Sequence, residues 1–250
     1  MLTASFKKQA EWSEKPAYAL NDGFYFQNYS DAWTRGHMST FFKNSLITTL
    51  VALVFIVFLL SNCRICCNKD EMEIQKCSCT VFSVFGIMIP VAIALIPLFQ
   101  IYSRSNLLNT RTCLIITYIA FGLSLSIYLV QGYLRSFPDD IMEAAVIDGC
   151  GIYRLMWHIV TPLMKNSIVT VLVLQFFFKW NDLLFSMTFI SDSALKTVQT
   201  GLLYFSDEFG SKNWGAIFAS VSMSVFPLLI LYMALNKKLM EGMTAGAVKG

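Results

Sequence analysis

Residues 143–162 read "EAAVIDGCGIYRLMWHIVTP". The stretch carries three charged residues, two glycines and a proline, and a long apolar run flanks it on each side. It is too charged to cross a bilayer and too apolar to float free as a connector. The reading of this block and of the runs around it decides how the chain is organised.

The flanking runs are long. Asn44–Cys63, Cys77–Ser103, Thr112–Leu134 and Asn213–Asn236 contain no Asp, Glu, Lys or Arg. A spanning helix needs about 20 predominantly apolar residues, and each run supplies them. Asn166–Ile190 is also long enough, although Lys179 and Asp182 interrupt it, and it reads as a span with a polar centre. Backbone groups in lipid must pair within their own segment, so runs of this length form helices. The expected fold is an all-α polytopic transmembrane bundle with spans at about 41–63, 77–103, 112–134, 166–190 and 213–236.

Composition agrees. The 250-residue chain is 56% hydrophobic and 14% charged, against about 25% charged in a soluble domain. A net charge of +3 does not point to nucleic acid. Residues 1–40 hold no span, and "MLTASFKKQAEWSEK" lacks the apolar centre of a signal peptide. Charge does not orient the bundle: with the Glu143 loop inside, nine Lys and Arg fall inside against eight outside.

The motif inventory excludes several classes. "CRICCNKDEMEIQKCSC", from Cys63 to Cys79, holds five of the seven cysteines. Its spacing is a weak match to a zinc site, with no histidine near it, and the competing reading is a reduced loop. The expectation is no metal. His37 and His158 are not ligand-spaced, and no P-loop, GxSxG, HExxH or GxGxxG is present. No catalytic residues are assigned, and the chain is not expected to be an enzyme.

Within the block, Pro138 suits the first turn of a helix, and Asp139 and Asp140 favour its positive end. A short helix then runs to Asp148. Gly149 and Gly151 break it, with a left-handed glycine closing the last turn. Ile152, Leu155, Met156 and Ile159 follow at i, i+3, i+4 and i+7, one apolar stripe on a second short helix. Pro162 ends that helix or starts the next. Two amphipathic helices at an angle can be a connector lying on the membrane surface, or a docking element with one face on the bundle and one on a soluble partner.

The pattern Glu143-Ala144-Ala145, three residues, Gly149, nine residues, then Ile159-x-x-Pro162 resembles the EAA loop of binding-protein-dependent ABC importer permeases. The fuller string from Pro138 to Gly149 is most similar to the sugar-importer branch, the maltose-type second permease. Other strings agree in order: Asn28–Tyr29, "FFKNSL" at 41–46, "IPLF" around Pro97, "NLLNT" at 106–110, "WND" at 180–182 and "GAVKG" at the terminus. The resemblance covers about residues 25–250.

It implies the type I ABC importer permease fold. It implies an ATPase-coupling role for Glu143, Ala144, Ala145, Asp148, Gly149, Ile159 and Pro162. Glu143 would meet a basic or hydrogen-bonding group of the ATPase, the alanines would permit close approach, and Ile159 and Pro162 would anchor the second helix. The loop 135–165 is then cytoplasmic, residues 1–40 extracytoplasmic and 237–250 a cytoplasmic tail. The implied partners are a second permease subunit, a cytoplasmic ATPase dimer that binds ATP and magnesium, an extracytoplasmic sugar-binding protein and membrane lipid. No cofactor is expected on this chain.

Departures are Thr161 in place of a usual Leu, Asn166 in place of a frequent Pro, and the Cys-rich segment. Members of this branch also have a first helix ahead of the segment resembling "SFKK". Its absence implies a truncated or mis-started frame, or a five-span variant. The alternative functions are an inactive permease paralogue and a stand-alone secondary transporter, the latter expected to show internal repeats.

Lys179-Trp180-Asn181-Asp182 is the remaining candidate. Ionisable groups at the centre of a span cost about 2.5–3.5 kcal/mol each, so they face the bundle or water. Lys179 and Asp182 are spaced to pair on one helix face. The cluster either holds its helix in register or lines a translocation pathway, with Trp180 offering its ring to a sugar. Pro90, Pro97 and Pro227 fall inside runs and are expected to kink them.

Overall fold

The computed structural model describes the backbone of residues 1–16, 19, 21–66, 73–135, 141, 144, 145, 147–208 and 213–245. It describes the side chains of the same residues apart from 13, 61–66, 73–79, 82, 135, 152, 156, 204–208 and 237–245.

Helices dominate, and no strand occurs among the described residues. After two single-turn helices come α1 (Gln27–Thr34), α2 (Met38–Cys66), α3 (Glu73–Met88), α4 (Val91–Arg104) and α5 (Arg111–Arg135). The block Ile152–Leu163 precedes α6 (Lys165–Trp180), α7 (Leu184–Phe189), α8 (Val198–Glu208) and α9 (Trp214–Ala245). Among the described residues, Met38–Leu60, Arg111–Leu134 and Trp214–Asn236 are long and apolar enough to cross a membrane. Tyr153–Leu163 and Lys165–Trp180 make a fourth span if they are taken as one helix bent by 75°.

Two expected spans have a different form. The run 77–103 is not one helix: α3 ends at Met88 and α4 begins at Val91, with Pro90 between them. Pro90 has no N–H with which to continue the ladder, and its ring disfavours helical backbone at Ile89. The halves have 16 and 14 residues, each short of a full span. The run 166–190 is also divided, because α6 stops at Trp180 and α7 starts at Leu184. The polar residues 181 and 182 lie between them, where Asp182 binds the first N–H groups of α7 rather than continuing α6. Pro97 and Pro227, by contrast, lie inside α4 and α9.

The chain divides into two compact units. The first comprises Met1–Thr49, Leu98–Leu114 and Trp180–Tyr232. Polar side chains stitch it together. Buried Asn28 donates to the carbonyls of Ser5 and Lys7, both at 2.8 Å, and the Tyr29 and Ser5 hydroxyls are 2.7 Å apart. Asn44 is fully buried; its amide donates to the carbonyls of Ala194 and Lys196, and its oxygen accepts from the Arg111 guanidinium at 2.8 and 3.1 Å. Asn109 adopts a left-handed backbone, which Asn tolerates, and its side chain accepts from the N–H groups of Ser191 and Asp192. The three asparagines in this way pair with backbone carbonyls or N–H groups distant in sequence.

The second unit comprises Leu50–Pro97, Ile115–Lys179 and Met233–Gly250. Its apolar core joins Ile56 and Leu60 of α2, Ile127 and Val130 of α5, and Val171 of α6 to Ala145, Leu155, Val160 and Met164. The interspan block therefore supplies part of the core.

Candidate functional site

The block begins as a helix that closes at Gly149. Asp148 donates its N–H to the Ala144 carbonyl at 2.9 Å, and Cys150 donates to the Ala145 carbonyl at 3.0 Å. Gly149 has φ +74. A bond spanning five residues around a left-handed glycine is the Schellman ending, which satisfies a carbonyl the helix leaves open. Cys150 and Ala145 both pack in the core of the second unit, the apolar contact that usually accompanies this ending.

The second helix starts at once, with the Leu155 N–H bonded to the Gly151 carbonyl at 3.0 Å. It is helical over Ile152–Leu155 and widens into a π-helical turn over Met156–Val160. Thr161–Leu163 then carries Pro162 in its first turn, where the missing N–H costs nothing. Single π turns inside helices occur frequently at functional positions.

One side of this element faces the core and the other is open. Ala145, Leu155, Val160 and Met164 are buried, and Ile159 is packed against them. Ala144, Asp148, Gly149 and Pro162 are exposed. So are large apolar side chains: Ile147 is 84% exposed, Tyr153 67% and Trp157 52%. Isolated exposed apolar residues are ordinary, but these three together with exposed Leu163 on one short polar-flanked element mark an interaction surface. Tyr153 and Trp157 lie four residues apart, off the Leu155–Ile159 stripe, so the helical period already separates them from the core face. Ile147 lies before the glycine turn, where no single period reaches. Glu143, Pro138, Asp139 and Asp140 lie outside the described residues, as do the side chains of Ile152 and Met156.

The Lys179–Asp182 cluster is divided between the units. In the second unit, Lys179 is buried and donates to the Gln175 side-chain oxygen at 2.5 Å. Gln175 donates in turn to the Gly122 carbonyl at 3.0 Å and the Ser126 hydroxyl at 2.9 Å. Gly122 permits this: a Cβ there would lie 2.6 Å from the Ile56 Cδ1 and 2.8 Å from the Lys179 ammonium. The sequence marks Lys179 but not its partners, since Gln175, Gly122 and Ser126 belong to no recognisable motif.

In the first unit, Trp180 is 1% exposed. Its indole N–H donates to the Ser224 carbonyl at 3.0 Å, and the Phe42 ring meets it edge-on at 5.5 Å. The Asp182 carboxylate accepts from the N–H groups of Phe185 and Ser186 at 3.3 and 3.1 Å. Asn181 is exposed and accepts from the Gln199 amide at 3.2 Å. Trp180 and Asp182 thus have structural work in this chain, and Asn181 is the exposed member beside them.

The Cys63–Cys79 side chains lie outside the described ones; Cys113 and Cys150 are not in disulfides, and the buried Cys113 thiol donates to the Thr110 carbonyl at 3.0 Å. Among the described residues no group of three His, Cys, Asp or Glu is arranged to hold a metal ion.

Residues 76–244 match the family described as "binding-protein-dependent transport system inner membrane component". The diacetylchitobiose uptake system permease protein NgcG of Streptomyces coelicolor is 30% identical over 250 residues, covering 100% of this chain and 82% of NgcG. The melibiose/raffinose/stachyose import permease protein MelC of Bacillus subtilis is 28% identical over 256 residues, covering 100% of this chain and 90% of MelC. Among solved structures, a chain of a bacterial ABC transporter involved in importing the acidic polysaccharide alginate superposes with a TM-score of 0.78 at 18% identity. The match covers 94% of this chain and 87% of that one, and it establishes the ABC importer permease fold.

Proposed function

Because the chain belongs to the family of binding-protein-dependent transport system inner membrane components, we propose that it is one of two permease subunits of an ATP-driven sugar importer. It is a multi-pass plasma-membrane transport subunit and not an enzyme. The observation that carries the finer reading is the two-faced interspan element. Its buried face is built into the core of the second unit, and its exposed face offers Ile147, Tyr153 and Trp157. The sugar named for NgcG, and those named for MelC, support a substrate of the mono- or oligosaccharide class.

In this reading the exposed face docks on a cytoplasmic ATPase, which holds ATP and magnesium. Glu143 supplies a carboxylate to that interface, and Ala144 allows close approach. Gly149 fixes the angle between the two short helices. A push on the element reaches α2, α5 and α6 directly, because Ala145, Leu155, Val160 and Met164 share one core with Ile56, Ile127 and Val171. A close-packed interior transmits displacement and does not absorb it. Where sugar passes through the first unit, exposed Asn181 and half-buried Gln199 present a hydrogen-bonded amide pair, while Trp180 shapes the site from behind. An extracytoplasmic binding protein delivers the sugar.

Reconstitution with candidate partners tests the reading through sugar-stimulated ATP hydrolysis. Stimulation is expected only when the permease pair, the ATPase and a binding protein are all present. Glu143→Ala combined with Gly149→Pro is expected to abolish both uptake and co-purification of the ATPase. Intact uptake and co-purification would sink the coupling assignment, and uptake without any ATPase would indicate a secondary transporter.

A further inference from the structure

Three of the five tryptophans, Trp12, Trp33 and Trp214, gather in the first unit at the starts of two membrane spans. The Trp12 ring stacks on Phe218 at 5.1 Å, with the planes 2° from parallel, and lies 6.1 Å from the Trp214 ring. The Trp33 ring meets Phe42 at 5.8 Å. Trp214 opens the span Trp214–Asn236, and Met38 opens the span Met38–Leu60. Phe218 and Phe42 each lie four residues further on, about 6 Å along the axis at the ordinary helical rise. The helix α1 is held at both starts. A Cβ at Gly215 would overlap the Asn28 amide near one end of α1, and Trp33 reaches Phe42 from the other.

An aromatic cluster sits at the N-terminal end of α1. The Phe6 ring is 5.2 Å from the rings of Phe24, Phe26 and Tyr29, and the Tyr25 N–H donates to the Phe6 carbonyl at 3.1 Å. The hydrogen bonds of Asn28 and Tyr29 fix the same segment. The cluster is built but not covered: Phe24 is 74% exposed and Phe26 67%, and Trp33 and Trp214 are exposed as well.

We propose that Phe24, Phe26, Trp33 and Trp214 form an aromatic collar that seats this end of the first unit in the headgroup layer of the bilayer. An exposed apolar patch marks either a protein contact or a membrane contact. The depth of this one favours the membrane. Its rings are tied to the first turns of two spans, where acyl chains give way to headgroups, and a soluble partner rests beyond that level. An indole has an apolar body and one N–H, which suits a layer that is apolar on one side and wet on the other, and aromatic belts gather there. Phenylalanines beside them enter the acyl boundary, as they do on interfacial helices. The inference needs the spans and not the sugar-import reading.

The test replaces Phe24 or Phe26 by the photoreactive p-benzoylphenylalanine in the assembled complex. The complex is held in vesicles of phosphatidylethanolamine and phosphatidylglycerol with its soluble partners present. Illumination is expected to give phospholipid adducts at both positions. Capture of a polypeptide in place of phospholipid would make the cluster a protein-docking surface and overturn the collar, and so would the absence of any lipid adduct. A second measurement carries the test if those variants fail to assemble. It reads the tryptophan fluorescence of the chain itself in vesicles whose lipids carry bromine at the headgroup end of the acyl chain. Trp33→Phe and Trp214→Phe keep a ring, and each is expected to lose part of the quenching seen in wild type. Undiminished quenching in both overturns the collar and leaves the permease reading standing.

Discussion

The Lys179 ammonium donates to the Gln175 side-chain oxygen at 2.5 Å, one helical turn away on α6, with both groups buried. A charge that is expensive in an apolar bundle is thus held by a neutral amide, which is itself anchored on the Gly122 carbonyl and Ser126. Gln175→Leu is expected to lower stability by about 1–2 kcal/mol, because it removes a partner from a buried charged donor. The double variant Gln175→Leu/Lys179→Met is expected to recover part of that loss, since no buried charge remains. Thermal unfolding of the four proteins in one detergent gives the cycle, and strictly additive losses would count against the coupling.

Gly122→Val tests the same cluster from the other helix. The added carbons would meet the ends of Ile56, Lys179 and Gln175 at 3.0 Å or less. Those ends can yield partly, so the expected cost is about 1–3 kcal/mol, the usual range for overpacking. An unchanged melting temperature would mean that α5 and α6 separate more readily than the packing implies.

Gly149 turns the coupling element through a backbone region that penalises a Cβ by about 1–2 kcal/mol. Gly149→Asn is expected to keep most uptake, Gly149→Ala less and Gly149→Val least, in the order of their tolerance of positive φ. Parallel measurement of membrane abundance separates coupling from folding. A flat series at equal abundance would show that the turn angle does not matter to transport.

Tyr153→Asp and Trp157→Asp alter the exposed face and leave the core untouched. Each is expected to reduce ATPase co-purification at least tenfold with no change in melting temperature. Full co-purification in both would remove this face from the interface.

Asp182→Ala is expected to cost about 0.5–2 kcal/mol, the usual penalty for losing a helix cap. Asp182→Asn retains an acceptor and is expected to cost less. If Asp182 acts by capping α7, sugar affinity stays unchanged in both. A large affinity loss in Asp182→Asn at unchanged stability would return the residue to the translocation pathway.

Several strings that carry the family resemblance turn out to be stitches. Asn28 and Tyr29 tie α1 to the N-terminal residues. Asn44 and Ser45 fix the segment before α8, Ser45 through the Val198 N–H at 2.9 Å. Asn109 closes the segment after α7. Their partners lie far away in sequence, which is why the strings are recognisable but their roles are not.

The amino-acid order by itself settled the solvent and the local geometry. Charge-free runs of about 20 residues require helices in lipid, because no water is present there to satisfy the backbone. A glycine after a short polar helix supplied the left-handed turn. The tertiary structure decided what depends on partners: that Pro90 and Asp182 end helices inside apolar runs, that Trp180 is enclosed by Phe42 and Ser224, and which face of the interspan block the core leaves open. A period in the sequence marks which residues share a face. Only the packing of other elements decides whether that face is covered, because burial belongs to a set of side chains brought together by the fold and not to any one of them.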